Sequence, residues 1–327
     1  MGSIASGSSV SVVIRAYNSE KFIKDALSSV LDQDYTGEII VVVCYDERTR
    51  DKTIDVINSL SKISSEKRNI EVVRHGLPGP FRALQGCGFE NSKGDFVFLL
   101  DYDDYYPKNY IRTVVERSVA KGATFTFVKA MKVDERGNEL GILVRIPEDP
   151  YDIQSIIKAN HVAASAIALH IECLKRIKTL LRNIDHPYYD WLFEDWLIAL
   201  LAMKHCKPLY IDDVAIYYRV HGENITAGSS NFEKTMLNTE REFKTLLGYY
   251  IIERDRLSQQ ELKILRKRVL RTLIHIYRVI GRYHPELASI GVAVSEAARM
   301  PYALIRRIIR FMIKSYRYRT QRPPILP

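Results

Sequence analysis

The 327-residue sequence contains no stretch of eighteen or more uncharged apolar residues, so none of its helices is expected to span a bilayer. Its opening, MGSIASGSSVSVVIRAYN, lacks a basic flank and a long apolar core, which argues against a secretory signal. The first six residues match the spacing of an N-myristoylation site by chance. Cysteine is scarce: Cys44, Cys87, Cys173 and Cys206 fall at no spacing that marks a zinc knuckle or a redox pair. The expectation is four buried free thiols in a reducing compartment, not disulfides. Internal repeats and low-complexity segments are also missing.

What is present is a globular composition, 46% hydrophobic and 27% charged, which excludes wholesale disorder. The length suits one large domain or two modest ones. The net charge of +9 is concentrated at one end. From Ser258 to Pro327, fifteen Lys and Arg face three Glu, so the body before Ser258 is mildly acidic.

The first hundred residues alternate two periodicities. VSVVIRAY (Val10–Tyr17), EIIVVVCY (Glu38–Tyr45), NIEVVRH (Asn69–His75) and DFVFLL (Asp95–Leu100) read as strands. SEKFIKDALSSVLDQ, KTIDVINSLSKI and FRALQGCGFENS between them read as helices. Strands separated by single helices imply a mostly parallel, helix-flanked sheet, whose ligands sit at the carboxyl ends of the strands. Farther on, TFTFVKAMKVDERGNELGILVRI predicts two strands about a turn at residues 136–138. AASAIALHI predicts another strand, DWLFEDWLIALLAMKH (Asp190–His205) a helix, and PLYIDDVAIYYRVHGENIT a strand and loop. GENITAGSSN (Gly222–Asn231) is the best boundary, giving an α/β domain over 1–226 and a helical region over 227–327.

The fourth strand ends in DYDD, Asp101 to Asp104. Residues two apart on a strand point the same way, so Asp101 and Asp103 can face one ion roughly 6–7 Å apart along the chain. Two carboxylates on one site repel. A hard divalent cation such as Mg²⁺ or Mn²⁺ removes that penalty, with phosphate oxygens completing its shell. Taken alone, the cluster reads equally as an acidic turn capping the helix that begins near Pro107.

Four motifs in order and spacing add to this: VSVVIRAYNSEKFIKDALSSVLDQDYTGEIIVVV, GDFVFLLDYDDYYPKNYI, FEDWLIALLA and YYRVHGENIT. Together they resemble glycosyltransferase family two, inverting enzymes of the GT-A fold, over Val10 to about Thr226. The resemblance implies a Rossmann-like, mostly parallel mixed sheet flanked by helices, here with a C-terminal helical extension. It also implies a nucleotide-sugar donor, Mg²⁺ or Mn²⁺, a glycan or lipid-linked acceptor, and transfer with inversion. On the matched positions, Asp103 looks like the metal contact, with Asp101 near the ribose or the metal and Asp104 supporting the donor sugar or the metal shell; Tyr102 lies among them. Arg15, Ala16, Tyr17 and Asn18, at the end of the first strand, match the nucleotide contact. Phe193-Glu194-Asp195 matches the acidic pair whose aspartate is the base, so Asp195 is the catalytic candidate and Glu194 lines the donor side. Arg219 and His221 match a late segment that reaches the diphosphate or the metal. In-line displacement needs such a base for the acceptor hydroxyl, and positive charge for the departing diphosphate. By local pattern alone, Glu194 and Asp195 are also good residues for the first turn of a helix.

The chain departs from the family's pattern on the nucleotide side. Arg15 and Ala16 replace the usual Pro and Thr. CYDERTRD stands for the usual DDGSTD, leaving Asp46 as the acid for base contact. The ARNxG segment becomes LQGCG, with Gln85 for the Arg and Gly86 for the Asn. Either Arg15 and Arg82 supply charge to an unusual nucleotide site, or donor binding has decayed and the chain is a non-catalytic scaffold of the same fold. A nucleotidyltransferase would want a Gly- and Lys-rich phosphate loop, and RAYNSEKF does not supply one.

The basic tail is patterned. Tyr302–Arg319 sets Leu304, Ile305, Ile308, Ile309, Met312, Ile313 and Tyr316 on one helical stripe, with Arg306, Arg310, Lys314 and Arg317 on another. That is the pattern of a helix in an anionic membrane surface, or of one packed on the catalytic domain with a solvated basic face. No nucleic-acid recognition motif accompanies it. The enzyme is therefore expected in the cytoplasm, either soluble or peripheral at the inner face of the plasma membrane.

Overall fold

The computed structural model describes residues 7–62, 65–222, 224 and 232–283. The tail pattern of 302–319 and most of the predicted boundary at 222–231 lie outside the described residues. The first half runs β1 (Val10–Ala16), α1 (Ile23–Leu31), β2 (Ile39–Asp46), α2 (Thr53–Ser61), β3 (Arg68–His75), α3 (Gly79–Ala83), β4 (Phe96–Asp101) and α4 (Tyr110–Lys121). It continues with β5 (Phe125–Val133), β6 (Glu139–Ile142), α5 (Ile153–Lys158), β7 (Ile167–His170), α6 (Ile171–Leu181), α7 (Glu194–His205), β8 (Pro208–Arg219), α8 (Phe232–Glu253) and α9 (Gln259–Tyr283).

Strands β3, β2, β1 and β4 pair in parallel. Beyond them β7 runs antiparallel to both β4 and β5, while β8 lies parallel to β5. The turn predicted at 136–138 does join an antiparallel pair, β5 and β6. β1 and β4 are central and covered on both faces, which is why VSVVI and FVFLL are almost unbroken apolar runs. The pleat divides them. Val13, Val97 and Leu99 join a core with α6, α7 and α8; Val12, Ile14, Phe98 and Leu100 join another with α1 and α4. Each of these side chains contributes about 1.5–3 kcal/mol by burial.

Helix α7 is apolar all round, with every residue from Trp196 to Met203 buried. It is an interior helix, not an amphipathic one. Leu246, Tyr249 and Ile252 of α8 and Leu265 of α9 share its core cluster. Lys204 pairs with Glu261 at 3.0 Å and His205 with Glu253 at 2.6 Å, fixing the far end of α7 to both C-terminal helices. Among the described residues no helix is long and apolar enough to cross a membrane.

Two expectations need correction. The four cysteines are not free: Cys44 pairs with Cys87 and Cys173 with Cys206, at Cα separations of 5.8 and 5.6 Å. The partners stand 43 and 33 residues apart, so only the packing of α3's continuation on β2, and of α6 on the end of α7, brings them together. Cysteine usage therefore gives no support to a reducing compartment. The helix read in FRALQGCGFENS starts regularly at α3 but widens to π-type turns over Leu84–Phe89. Such widening is rare and clusters at functional sites.

Candidate active site

The carboxyl ends of β1 and β4 form the floor. Their parallel register sets Arg15 beside Asp101, and the guanidinium reaches across at 2.7 Å. Its other arm bonds Glu194 at the start of α7, so one cation joins two strands' ends to the helix. Burial opposes the charge on Arg15, but Glu194 and Asp101 outweigh it and hold the guanidinium firmly protonated. Asp101 is pushed up by burial, with Asp103 and Glu194 adding repulsion that Arg15 only partly relieves.

Asp103 faces His221, whose Nε2 lies 2.9 Å from Oδ2, and the Asn224 amide approaches the same oxygen at 3.4 Å. Asp104 turns the other way. It is 1% exposed, accepts a hydrogen bond from the Ser165 hydroxyl at 2.6 Å and another from the Arg219 N–H at 3.0 Å. Burial, then Asp103 and Asp101, raise it well above the usual carboxylate range. Its contacts are those of a strut between β4, the β7 approach and β8.

Arg219 is also committed. Its guanidinium donates to the Asp103 carbonyl at 3.0 Å, the Glu135 carbonyl at 3.1 Å and Asp25 at 2.8 Å, and it lies over the Phe22 and Tyr105 rings. The expected diphosphate contact would require it to give up these partners.

The nucleotide-side candidates gather at the ends of β1, β2 and β3. Ala16 is buried, Tyr17 is 51% exposed, and Asn18 takes a left-handed φ of 45° while its Oδ1 accepts the Arg50 N–H. Asp46 is gripped by Arg48 through Nε at 2.8 Å, and those bonds hold its carboxylate below the usual range. Tyr102 packs against the α1/α4-side core, and Gln85 is half-buried in the widened turn. Arg82 bonds Asp190 at 2.7 Å and Asp185, anchoring α3 to the loop before α7. Gly79 makes this junction possible, since its φ is +72° and a Cβ there would meet the Asp190 carbonyl at 2.3 Å.

Across the floor stands Asp195. Its Oδ1 accepts the Trp196 N–H at 2.7 Å and its Oδ2 the Asn160 amide at 2.9 Å. Burial, reinforced by Glu194, pushes its pKa up to about 7, and Asp101 adds to the repulsion. Asp195 and Asp101 therefore share one electrostatic site. Sequence reasoning missed Asn160, which sits in an unpatterned loop and has its own Oδ1 fixed by the Val162 N–H at 3.0 Å. It also missed Ser165, Trp191, Thr245 and Arg241. The Thr245 hydroxyl accepts the Phe193 N–H at 2.9 Å and so pins α8 to the entry of α7.

An α/β sheet with carboxylates at its central strand ends, faced by a buried carboxylic acid on an interior helix, is the GT-A architecture. Solved structures agree on the fold: Staphylococcus aureus TarS residues 1–349 in complex with UDP-GlcNAc matches with a TM-score of 0.53 at 17% identity, covering 89% of this chain and 88% of that one. The mannosyltransferase PcManGT from Pyrobaculum calidifontis, in complex with GDP-Man and Mn²⁺, matches with a TM-score of 0.55 at 14% identity, covering 94% and 85%. Residues 11–168 match the family description "Glycosyl transferase family 2". The Escherichia coli UDP-Glc:alpha-D-GlcNAc-diphosphoundecaprenol beta-1,3-glucosyltransferase WfaP is 27% identical over 219 residues, 67% of this chain and 80% of its own length. With the family 2 description matched over residues 11–168 and these relatives beside it, the chain is a glycosyltransferase.

Proposed function

We propose that this enzyme is a divalent-metal-dependent, inverting glycosyltransferase that moves a sugar from a nucleotide-sugar donor to a hydroxyl of a lipid-linked glycan. The observation that carries the reading is Asp195, an enclosed carboxyl poised near neutrality within the field of the β4 carboxylates. A general base works best when its pKa lies near the working pH. Asn160 and the Trp196 N–H fix the plane of the Asp195 carboxyl, and each oxygen keeps a lone pair for the acceptor's proton. The acceptor oxygen then attacks the anomeric carbon from the side opposite the departing diphosphate, which inverts the centre.

Among the described residues no three His, Cys, Asp or Glu gather into a metal cluster. The pair that remains, a carboxylate beside an imidazole nitrogen, still suits an ion that takes its other ligands from phosphate and water. Asp103 and His221 are the residues that would hold it, because Asp101 is engaged by Arg15. Such an ion supplies charge neutralisation to the leaving diphosphate. The donor seen with TarS and the diphospholipid acceptor named for WfaP support the substrate classes. The basic amphipathic pattern of residues 302–319 supports a peripheral place at the cytoplasmic face of the plasma membrane. There, a chain stopped after Glu296 should no longer float with anionic liposomes, and equal flotation would remove that placement.

The central experiment is calorimetry of UDP, GDP, CDP and dTDP with Mn²⁺ or with EDTA, on wild type and Asp103→Ala. One nucleotide should bind only with metal, and the variant should bind it about tenfold or more weakly. Metal-independent binding, or none to any of the four, overturns the reading.

A further inference from the structure

Arg241, in the third turn of α8, is the least satisfied cation among the described residues. It is 4% exposed, its Nε is buried without a partner, and no carboxylate or carbonyl bonds its guanidinium. The Trp191 ring lies against it, its centroid 5.3 Å from Cζ. Every other buried or half-buried arginine of the cleft is met: Arg15 by Asp101 and Glu194, Arg82 by Asp190 and Asp185, Arg219 by Asp25 and two carbonyls. The acids near Arg241 are already engaged, Glu194 by Arg15 and Glu240 by Lys244 at 2.7 Å. Burial accordingly disfavours its charge, and the fields of Glu194 and Glu240 only partly offset this. A buried, unpaired guanidinium is costly to keep.

Its position is fixed. The Thr245 hydroxyl, one turn along, donates to the Arg241 carbonyl at 2.8 Å and accepts the Phe193 N–H at 2.9 Å. Arg241 thus stands against the Trp191–Asp195 segment, on the side of the base. Trp191 itself is 43% exposed, a large ring left open beside the cation.

We propose that Trp191 and Arg241 form an acceptor subsite for a sugar that carries a phosphate close to the hydroxyl being glycosylated. The indole offers a face for the apolar side of the pyranose, and the guanidinium offers parallel N–H donors that match a phosphate. The phosphate supplies the partner that the fold withholds from Arg241. The inference rests on Asp195 as the acceptor base and narrows the acceptor to an anionic class.

The test is calorimetry in EDTA of inorganic phosphate, glucose 1-phosphate and N-acetylglucosamine 1-phosphate, with methyl glucoside as the neutral control. Wild type should bind at least one sugar phosphate and not the glucoside, and Arg241→Gln should bind it about tenfold or more weakly, with Arg241→Lys between them. Binding should persist when the enzyme is first saturated with its nucleoside diphosphate and Mn²⁺. Loss under that saturation assigns the phosphate to the donor site and overturns the inference, as does equal affinity in Arg241→Gln or no binding by wild type. Arg241→Met should raise the melting temperature while abolishing sugar-phosphate binding; a lowered melting temperature makes Arg241 a structural residue and also overturns it. The donor titration above is read separately, so failure of this subsite and failure of the transferase reading are distinguishable.

Discussion

The two walls of the cleft treat their charges differently. On the β1–β4 wall Asp101 has Arg15, Asp103 has His221, Asp104 has Ser165 and the Arg219 N–H, and Arg219 has Asp25. On the α7–α8 wall the Asp195 carboxyl is held near neutrality and Arg241 has no bonded acceptor among the described residues. A saturated polar network keeps one geometry, because each lost bond strands a buried partner. Groups left short of partners mark where a substrate completes the structure. The first wall is a saturated cradle; on the second, Asp195 has Asn160 and the Trp196 N–H, and Arg241 is the group that the proposed phosphate would complete.

The sharpest way to break this contrast is at Asp195. Asp195→Asn keeps the shape but removes the base and sets an NH2 against one of the two donors that Asp195 now accepts from, and transfer should fall by about 10²–10⁴ while nucleotide affinity is retained. In the wild type, kcat/KM should rise with pH through a midpoint near 7, following loss of the Asp195 proton. Stability should run the other way. The folded carboxyl binds its proton more tightly than the unfolded one, so stability falls as pH rises from the usual carboxylate range to about 7. Asp195→Asn should flatten that fall, and urea titrations at several pH values read it. A pH-independent kcat/KM between 5 and 9 would remove Asp195 as the base.

A smaller effect belongs to the cradle. Asp104→Ala strands the Ser165 hydroxyl and the Arg219 N–H, and should cost about 1–3 kcal/mol of stability for each unsatisfied group. Thermal or urea unfolding measures it. Unchanged stability with selective loss of donor affinity would return Asp104 to the ligand surface and erase the contrast on that wall.

Much of the fold was legible because its signals are local. The strands β1, β2 and β4 are runs of buried apolar residues, and the acids at the end of β4 sit where parallel sheets expose ligands. What escaped depends on partners far apart in the chain. Cys44 and Cys87 are 43 residues apart, Arg15 and Glu194 are 179, and Asp104 and the Arg219 N–H are 115. Arg219 reads as a free cation in sequence because nothing near it shows Asp25 or the Glu135 carbonyl. Arg241 reads as an ordinary helix charge, since the lack of a partner is visible only after packing. Asn160 lies in a loop with no periodicity at all, and only the position of Asp195 gives it meaning.

The Thr245 hydroxyl carries one consequence for how such enzymes can be recombined. Because it bonds both the Arg241 carbonyl and the Phe193 N–H, the α8 turn and the approach to α7 are one mechanical unit. A chimera that exchanges only the C-terminal helices would cut through that unit, leaving a foreign turn against a native base. The exchangeable module is Asp185–Asp195 together with α8, and acceptor choice should travel between relatives only when both pieces move.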